Sequence, residues 1–300
     1  MTTVSSSSQP VSGRLVEKTS SAISFMNDNR SFAIGVAMIL VVLFIAYIMP
    51  FFIEADDARA GAVKARLSPT AEHFMGTDTQ GRDVLSVFVL SISQTLKIAV
   101  VAGGIGTLAG LLLGLIAGYF RGPLDAVIRF ASDVMITIPA IIILVIVSAN
   151  IREMTVEIMA IIIALVSWMG AMRTIRAQVL TLRERSYIQI AQLNGESGFE
   201  LLIREVLPNL MPYLVARFVM AVSVAVLATI GLEALGLGPQ NSYTLGMMVY
   251  WSQLYNAVLR GMWWWWSPPI AMIVWIFLGL YLISTGVDKI ANPRLRNRNS

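Results

Sequence analysis

Cysteine is absent from the 300 residues, which excludes disulfides, thiolate metal sites and cysteine nucleophiles while leaving the redox compartment unaddressed. A single histidine, His73, removes the usual basis for a histidine metal centre, and no metal site is expected. Charge is scarce as well: Asp, Glu, Lys and Arg make up 13% of the chain, against about 25% in soluble domains. The phosphate-cradling pattern G-x-x-x-x-G-K-[ST] does not occur, and none of the four lysines follows a glycine, so the chain cannot bind ATP in that way. Neither HExxH nor GxSxG occurs, and no catalytic residue is expected. The small net charge of +4 gives no reason to expect nucleic acid as a partner.

What the chain has in excess is apolar surface. Hydrophobic residues are 56% of the sequence and the mean hydropathy is +0.72, which describes a polytopic membrane protein with lipid as its first partner. At about 20 apolar residues per crossing, six transmembrane helices are predicted at 32–53, 91–119, 130–150, 156–172, 209–236 and 267–287. The fold class expected is therefore all-α. The Ser- and Thr-rich segment 1–30 lacks the apolarity to pack a core and is expected to be a disordered cytoplasmic tail. The first apolar run comes too late for a signal peptide.

Six crossings put both termini on one side. That side carries 14 of the 22 Lys and Arg residues and the other carries 6, with Lys97 and Arg217 inside spans. By the positive-inside rule the termini and the Arg-rich segment 173–208 are cytoplasmic.

Gly106, Gly110, Gly114 and Gly118 recur every four residues in the second span. They fall on one helix face and allow a neighbouring backbone to approach closely. In the loop 54–90, the octapeptide GTDTQGRD at 76–83 has the Gly and Asp content of a turn. The second outer segment, 237–266, ends in four consecutive tryptophans, Trp263 to Trp266. They suit either an interfacial belt or stacking against sugar faces, and the segment is expected to lie on the outer surface as a short helix or lid. Asp133 and Glu233 fall at or inside span boundaries, where an ionised side chain must face protein or water. They are expected either to pair with Lys97 or Arg217 or to line a substrate path.

The polar segment 173–208 carries Arg173, Arg176, Arg183, Arg185 and Arg204. Its apolar residues at Val179, Leu182, Ile190, Ala191 and Leu193 fit an amphipathic helix interrupted near Gly195, followed by a second short helix that ends at Pro208. Two short helices meeting at a Gly corner form a protruding knob suited to a groove on another protein.

These residues carry a resemblance. Gln189-Ile190-Ala191, then Gly195, then Leu207-Pro208 is similar to the "EAA" loop of ABC-importer membrane subunits, specifically the dipeptide and oligopeptide permeases. The family pattern has Glu where Gln189 stands and Ala where Ile190 stands. Gly76-Thr-Asp-x-x-Gly-Arg-Asp83 resembles the family signature before the second span, and Asn292-Pro-Arg-Leu-Arg296 resembles its Asp-Pro-Arg-Leu-Arg ending. The similarity runs over about residues 31–296, with three motifs in family order.

The resemblance implies a type I ABC importer permease architecture and a set of partners: a second homologous permease, two cytosolic ATPases that bind ATP and Mg2+, and an extracytoplasmic solute-binding protein. This chain would hold no cofactor of its own. The implied organisation is a tail at 1–30, the first span and outer loop at 31–90, a five-helix transmembrane domain at 91–290 with its coupling loop at 173–208, and a tail at 291–300. The ATPase-coupling residues implied are Ser186, Tyr187, Gln189, Ile190, Ala191, Gly195, Glu196, Ser197, Gly198, Leu207 and Pro208. Oligopeptides or dipeptides are the implied cargo. The tryptophan run leaves β-linked oligosaccharides open, and the intramembrane acids leave an ion-coupled secondary transporter open.

Overall fold

The computed structural model describes residues 29–193 and 195–291. The implied tails at 1–30 and 291–300, with the Asn292 to Arg296 motif, lie almost wholly outside the described residues. Among the described residues the regular elements are helical, apart from one isolated bridge between Thr77 and Asp83. Five helices are long and apolar enough to cross a membrane, and counting the bent pair Gly122–Thr137 and Ala140–Ala149 as one span gives six.

In chain order the helices are α1 Arg30–Tyr47, α2 Val84–Phe120, α3 Gly122–Thr137, α4 Ala140–Ala149, α5 Val156–Arg183, α6 Ser186–Leu193, α7 Gly198–Leu201, α8 Leu207–Ala234, α9 Leu245–Leu254 and α10 Trp263–Ala291. The central pair is α2 and α5. The glycine stripe explains why: a Cβ at Gly110 would stand 2.5 Å from the Ala171 Cβ, and one at Gly118 would stand 2.8 Å from the Val179 Cβ. Only hydrogen at those positions lets the two backbones come together, and in lipid such close packing substitutes for the hydrophobic drive available in water. Helices α1 and α10 pair beside this core, and α8 packs on α2.

Several boundaries differ from the sequence expectation. Helix α2 starts at Val84, seven residues before the predicted 91, because the Asp83 carboxylate accepts from the Ser86 amide at 2.9 Å and caps it. The run 130–150 is two helices bent by 81°. Ile138 takes an extended backbone (φ −85°, ψ 125°) ahead of Pro139, as a residue before proline is sterically driven to do.

Helix α5 does not stop at 172; it continues to Arg183, so the first eleven residues of the segment 173–208 are helix. Pro208 does not end a helix either. From Gly198 to Ala234 the chain is one continuous rod, with a π turn over Leu202–Val206 in which the Leu207 N–H bonds the Leu202 carbonyl. An α turn there would press the proline ring on the carbonyl four residues earlier; the wider turn passes the obstacle. The Asn209 side chain donates to the Glu205 carbonyl at 2.6 Å and serves a backbone acceptor in the same turn.

The other end of the bundle is closed by the segment between α1 and α2. Asp83 pairs with His73 Nδ1 at 2.9 Å, Arg82 Nε donates to Asp78 at 2.6 Å, and the Tyr243 hydroxyl donates to the Ala58 carbonyl at 2.8 Å. Gly76 and Gly81, at φ +61° and +69°, supply the left-handed turns. The octapeptide 76–83 is thus a folded scaffold. Helix α9 is no loose lid: Leu245, Met247, Met248 and Ser252 are buried, and the Leu245 amide donates to Thr95 Oγ1 of α2 at 2.9 Å.

Candidate functional site

The knob is built by α6, a corner at Gly195 and α7. After α5 ends, the Ile188 and Gln189 amides both bond the Arg185 carbonyl, which starts α6. Gly195 has φ +85°, and a Cβ there would meet nothing within 4 Å. Glycine is therefore required by the left-handed backbone and not by crowding. Ser197 then caps α7, its Oγ accepting from the Glu200 amide at 3.2 Å.

The inner side of the knob is apolar and closed. Ile188 and Leu201 are fully buried, in a cluster with Leu115 and Tyr119 of α2 and with Ile175 and Val179 of α5. Gly198 meets the Tyr119 ring, where a Cβ would come to 3.0 Å. The corner is thus pressed onto the ends of the two helices of the central pair.

The outer side is apolar as well, yet open. Leu193 is 87% exposed, Phe199 71% and Ile190 58%. Tyr187, Gln189, Ser186, Glu196 and Ser197 are exposed beside them, with Ala191 and Gly198 half-buried. Leu207 is half-buried and Pro208 exposed at the foot of the knob, in the rod that leaves it. No charged residue occurs between Arg185 and Glu196. A helix whose outer face met only water would carry charge there, so this face is suited to an apolar partner surface. That uncharged stretch was a readable signal for Leu193, which the resemblance did not single out; Phe199, between Glu196 and Glu200, had no such signal.

The four intramembrane residues do not pair as expected. Lys97 pairs with Glu157 at 2.6 Å, and Asp133 pairs with Arg173. Among the described residues Arg217 has a buried Nε without a partner, while the Glu233 carboxylate has no ion-pair partner and lies beside Thr244 and the Gly246 backbone. Glu233 is fully buried against Gly238 and Gly246, under the start of α9. The pairing alternative fails because Lys97 is taken by Glu157, Asp133 on α3 faces α5, and Arg217 and Glu233 lie more than about four turns apart on the same helix, α8. Two partners that were not anticipated, Asp125 and Arg176, form a bidentate pair at 2.6 and 2.7 Å; 51 residues separate them, and no local spacing announces such a pair.

The tryptophan run is divided. Trp265 is 1% exposed and stacks with Tyr255 at 6.2 Å between centroids. Trp264 Nε1 donates to the Thr77 carbonyl at 3.3 Å, while Trp263 remains 59% exposed. Two of the four indoles are thus committed to holding α10, Trp264 against the segment before α2 and Trp265 against the turn after α9.

Comparisons with known proteins agree on one family. A family model described as "Binding-protein-dependent transport system inner membrane component" matches residues 110–297. The oligopeptide transport system permease protein OppC of Lactococcus lactis subsp. cremoris (strain SK11) is 28% identical over 268 residues, covering 88% of this chain and 91% of that one. The probable D,D-dipeptide transport system permease protein DdpC of Escherichia coli (strain K12) is 29% identical over 266 residues, covering 88% of each. Among solved structures, a chain of the MetNI methionine ABC transporter in inward-facing conformations superposes with a TM-score of 0.55 at 19% identity, covering 71% of this chain and 97% of that one.

Proposed function

The chain belongs to the family of binding-protein-dependent transport system inner membrane components, and from that premise we propose that it is one permease of a heteromeric, ATP-driven importer of oligopeptides or dipeptides. The observation that carries the coupling role is the α6–α7 corner, a surface tipped by the exposed apolar side chains of Ile190, Leu193 and Phe199 and backed by side chains of α2 and α5. The knob end faces the cytosol, in keeping with the excess of Lys and Arg on that side.

Two ATPase subunits, holding ATP and Mg2+, dock on the tip. Nucleotide-driven closure can shift the permease between inward-open and outward-open arrangements only through contacts that differ between the two, and the corner is where such contacts are available. A second homologous permease completes the pathway. A solute-binding protein delivers cargo at the opposite end. No side chain of this subunit takes part in hydrolysis.

Peptide cargo is supported by the similarity to the oligopeptide and D,D-dipeptide permeases over 88% of the chain. Sugar stacking on the tryptophan run is disfavoured by the burial of Trp265 and the hydrogen bond of Trp264. Proton carriage by Asp133 or Glu233 is disfavoured by the pairing of the first with Arg173 and the enclosure of the second.

The test is reconstitution of this chain with its second permease, ATPases and binding protein in liposomes. Peptide uptake that requires enclosed ATP supports the reading. Uptake of a β-linked oligosaccharide but no peptide contradicts the cargo, and robust ATP hydrolysis by the purified chain alone contradicts the subunit's role.

A further inference from the structure

Helix α3 is attached to the bundle in an unusual way. The residues it buries are Asp125 and Ser132, while Leu124, Val127, Phe130 and Val134 are exposed. Apolar packing therefore does little to hold it, and in lipid an apolar helix face gains little by meeting another. Three ion pairs hold it instead, all to α5 or the turn after it. Arg121 Nη2 donates to Glu184 at 2.9 Å; Asp125 accepts both arms of Arg176 at 2.6 and 2.7 Å; Asp133 accepts from Arg173. Residue numbers rise along α3 as they fall along α5, so the pairs form three rungs between antiparallel helices.

The rungs connect two parts that matter. At one end, Glu184 is followed directly by Arg185 and the start of the knob at Ser186. At the other, Asp133 lies one turn before the 81° elbow between α3 and α4, and the Thr137 hydroxyl bonds the Asp133 carbonyl at 2.8 Å. A forked Arg–carboxylate pair resists sliding because both geometry and charge are satisfied in one register, and removing one member leaves an uncompensated charge.

We infer that Asp125, Asp133, Arg173 and Arg176 are positioning residues of the transport cycle: they make α3 move as one piece with the knob end of α5, so that the α3–α4 elbow shifts when the knob is driven. The inference rests on the ATPase-coupled reading above. The enclosed Asp125–Arg176 pair is the strongest rung; Asp133–Arg173 and Arg121–Glu184, both about half exposed, add weaker ones.

The experiment uses the assembled importer in liposomes and reads peptide transported per ATP hydrolysed. With Asp125→Asn or Arg176→Gln, assembly and hydrolysis persist while transport per ATP falls about tenfold, within the range expected when a coupling contact is lost. Unchanged transport per ATP in those variants overturns the inference. The cysteine-free chain offers an independent arm that does not depend on those variants folding well. Asp133→Cys together with Arg173→Cys removes a rung, and a short bis-maleimide between the two thiols replaces it covalently. Transport per ATP is expected to rise severalfold on crosslinking; no change, or a fall, overturns the inference. An unmodified complex that shows no ATP-driven uptake would count against the importer reading itself, so the two failures are distinguishable.

Discussion

Arg183 holds Tyr119 from two directions: its Nη1 donates to the Tyr119 carbonyl at 2.7 Å, and its guanidinium carbon lies 5.6 Å from the centre of the Tyr119 ring. The same ring meets Gly198 at the start of α7. One arginine at the end of α5 thus fixes the end of α2, and through it the second half of the knob. Arg183→Ala loses a charge-assisted hydrogen bond and a cation–π contact, together worth about 2 to 3 kcal/mol if fully expressed. The expected outcome is a knob that exchanges amide protons faster over α6 and α7, with little change in α10, measured by hydrogen exchange in detergent or nanodiscs.

The Gly195 corner separates crowding from backbone geometry. Because the space there is open while φ is +85°, Gly195→Asn is expected to keep most transport, since Asn tolerates the left-handed region. Gly195→Val is expected to cost at least about 1 to 2 kcal/mol at the corner and to weaken ATPase capture severalfold. Equal behaviour of the two variants in co-purification would show that the corner conformation is not what matters.

At the apolar tip, Leu193→Asp and Phe199→Asp are expected to leave the thermal stability of the chain nearly unchanged, within about 0.5 kcal/mol, as befits exposed positions. The same variants should reduce ATPase binding at least tenfold, because a buried unpaired charge at an apolar contact is costly. Pull-down of the ATPases with wild-type and variant permease measures both effects. Variants that bind normally would place the docking contact elsewhere.

Two glycines in α2 provide a packing control. Gly110→Ala drives a methyl into the Ala171 Cβ at 2.5 Å and is expected to destabilise by about 1 to 3 kcal/mol through overpacking. Gly104→Ala, where the nearest atom lies 3.8 Å away, should be neutral or stabilising by up to about 1 kcal/mol. Thermal unfolding in one detergent decides between them.

Much of the membrane plan was legible in the sequence, because apolar runs of span length and a four-residue glycine period have few other physical uses. The stripe from Gly106 to Gly118 is the clearest case, since it announced the α2–α5 contact without naming α5. Pro139 was a readable break that a hydropathy run from 130 to 150 passes over, because Ile138 and its neighbours are apolar enough to hide a change of backbone. Pro208 misled in the opposite direction: a proline stops an α-helix, yet one π turn absorbs it, and nothing local to Leu202–Val206 signals the wider register. The pairs Asp125–Arg176 and Lys97–Glu157 were not legible, since they depend on which helices meet. Within the knob, the Gly195 corner and the two short helices were readable from pattern. That α7 runs on into the next span was not, because Pro208 stands between them.

In the proposed function this subunit receives work from ATPases through its knob and does none of the chemistry. The most direct measurement is peptide uptake into liposomes holding the complete complex, with and without enclosed ATP, and with an ionophore present. Uptake is expected to depend on ATP and the binding protein, to ignore the ionophore, and to be lost in Leu193→Asp. Uptake that persists without ATP and collapses with the ion gradient would contradict the proposed function.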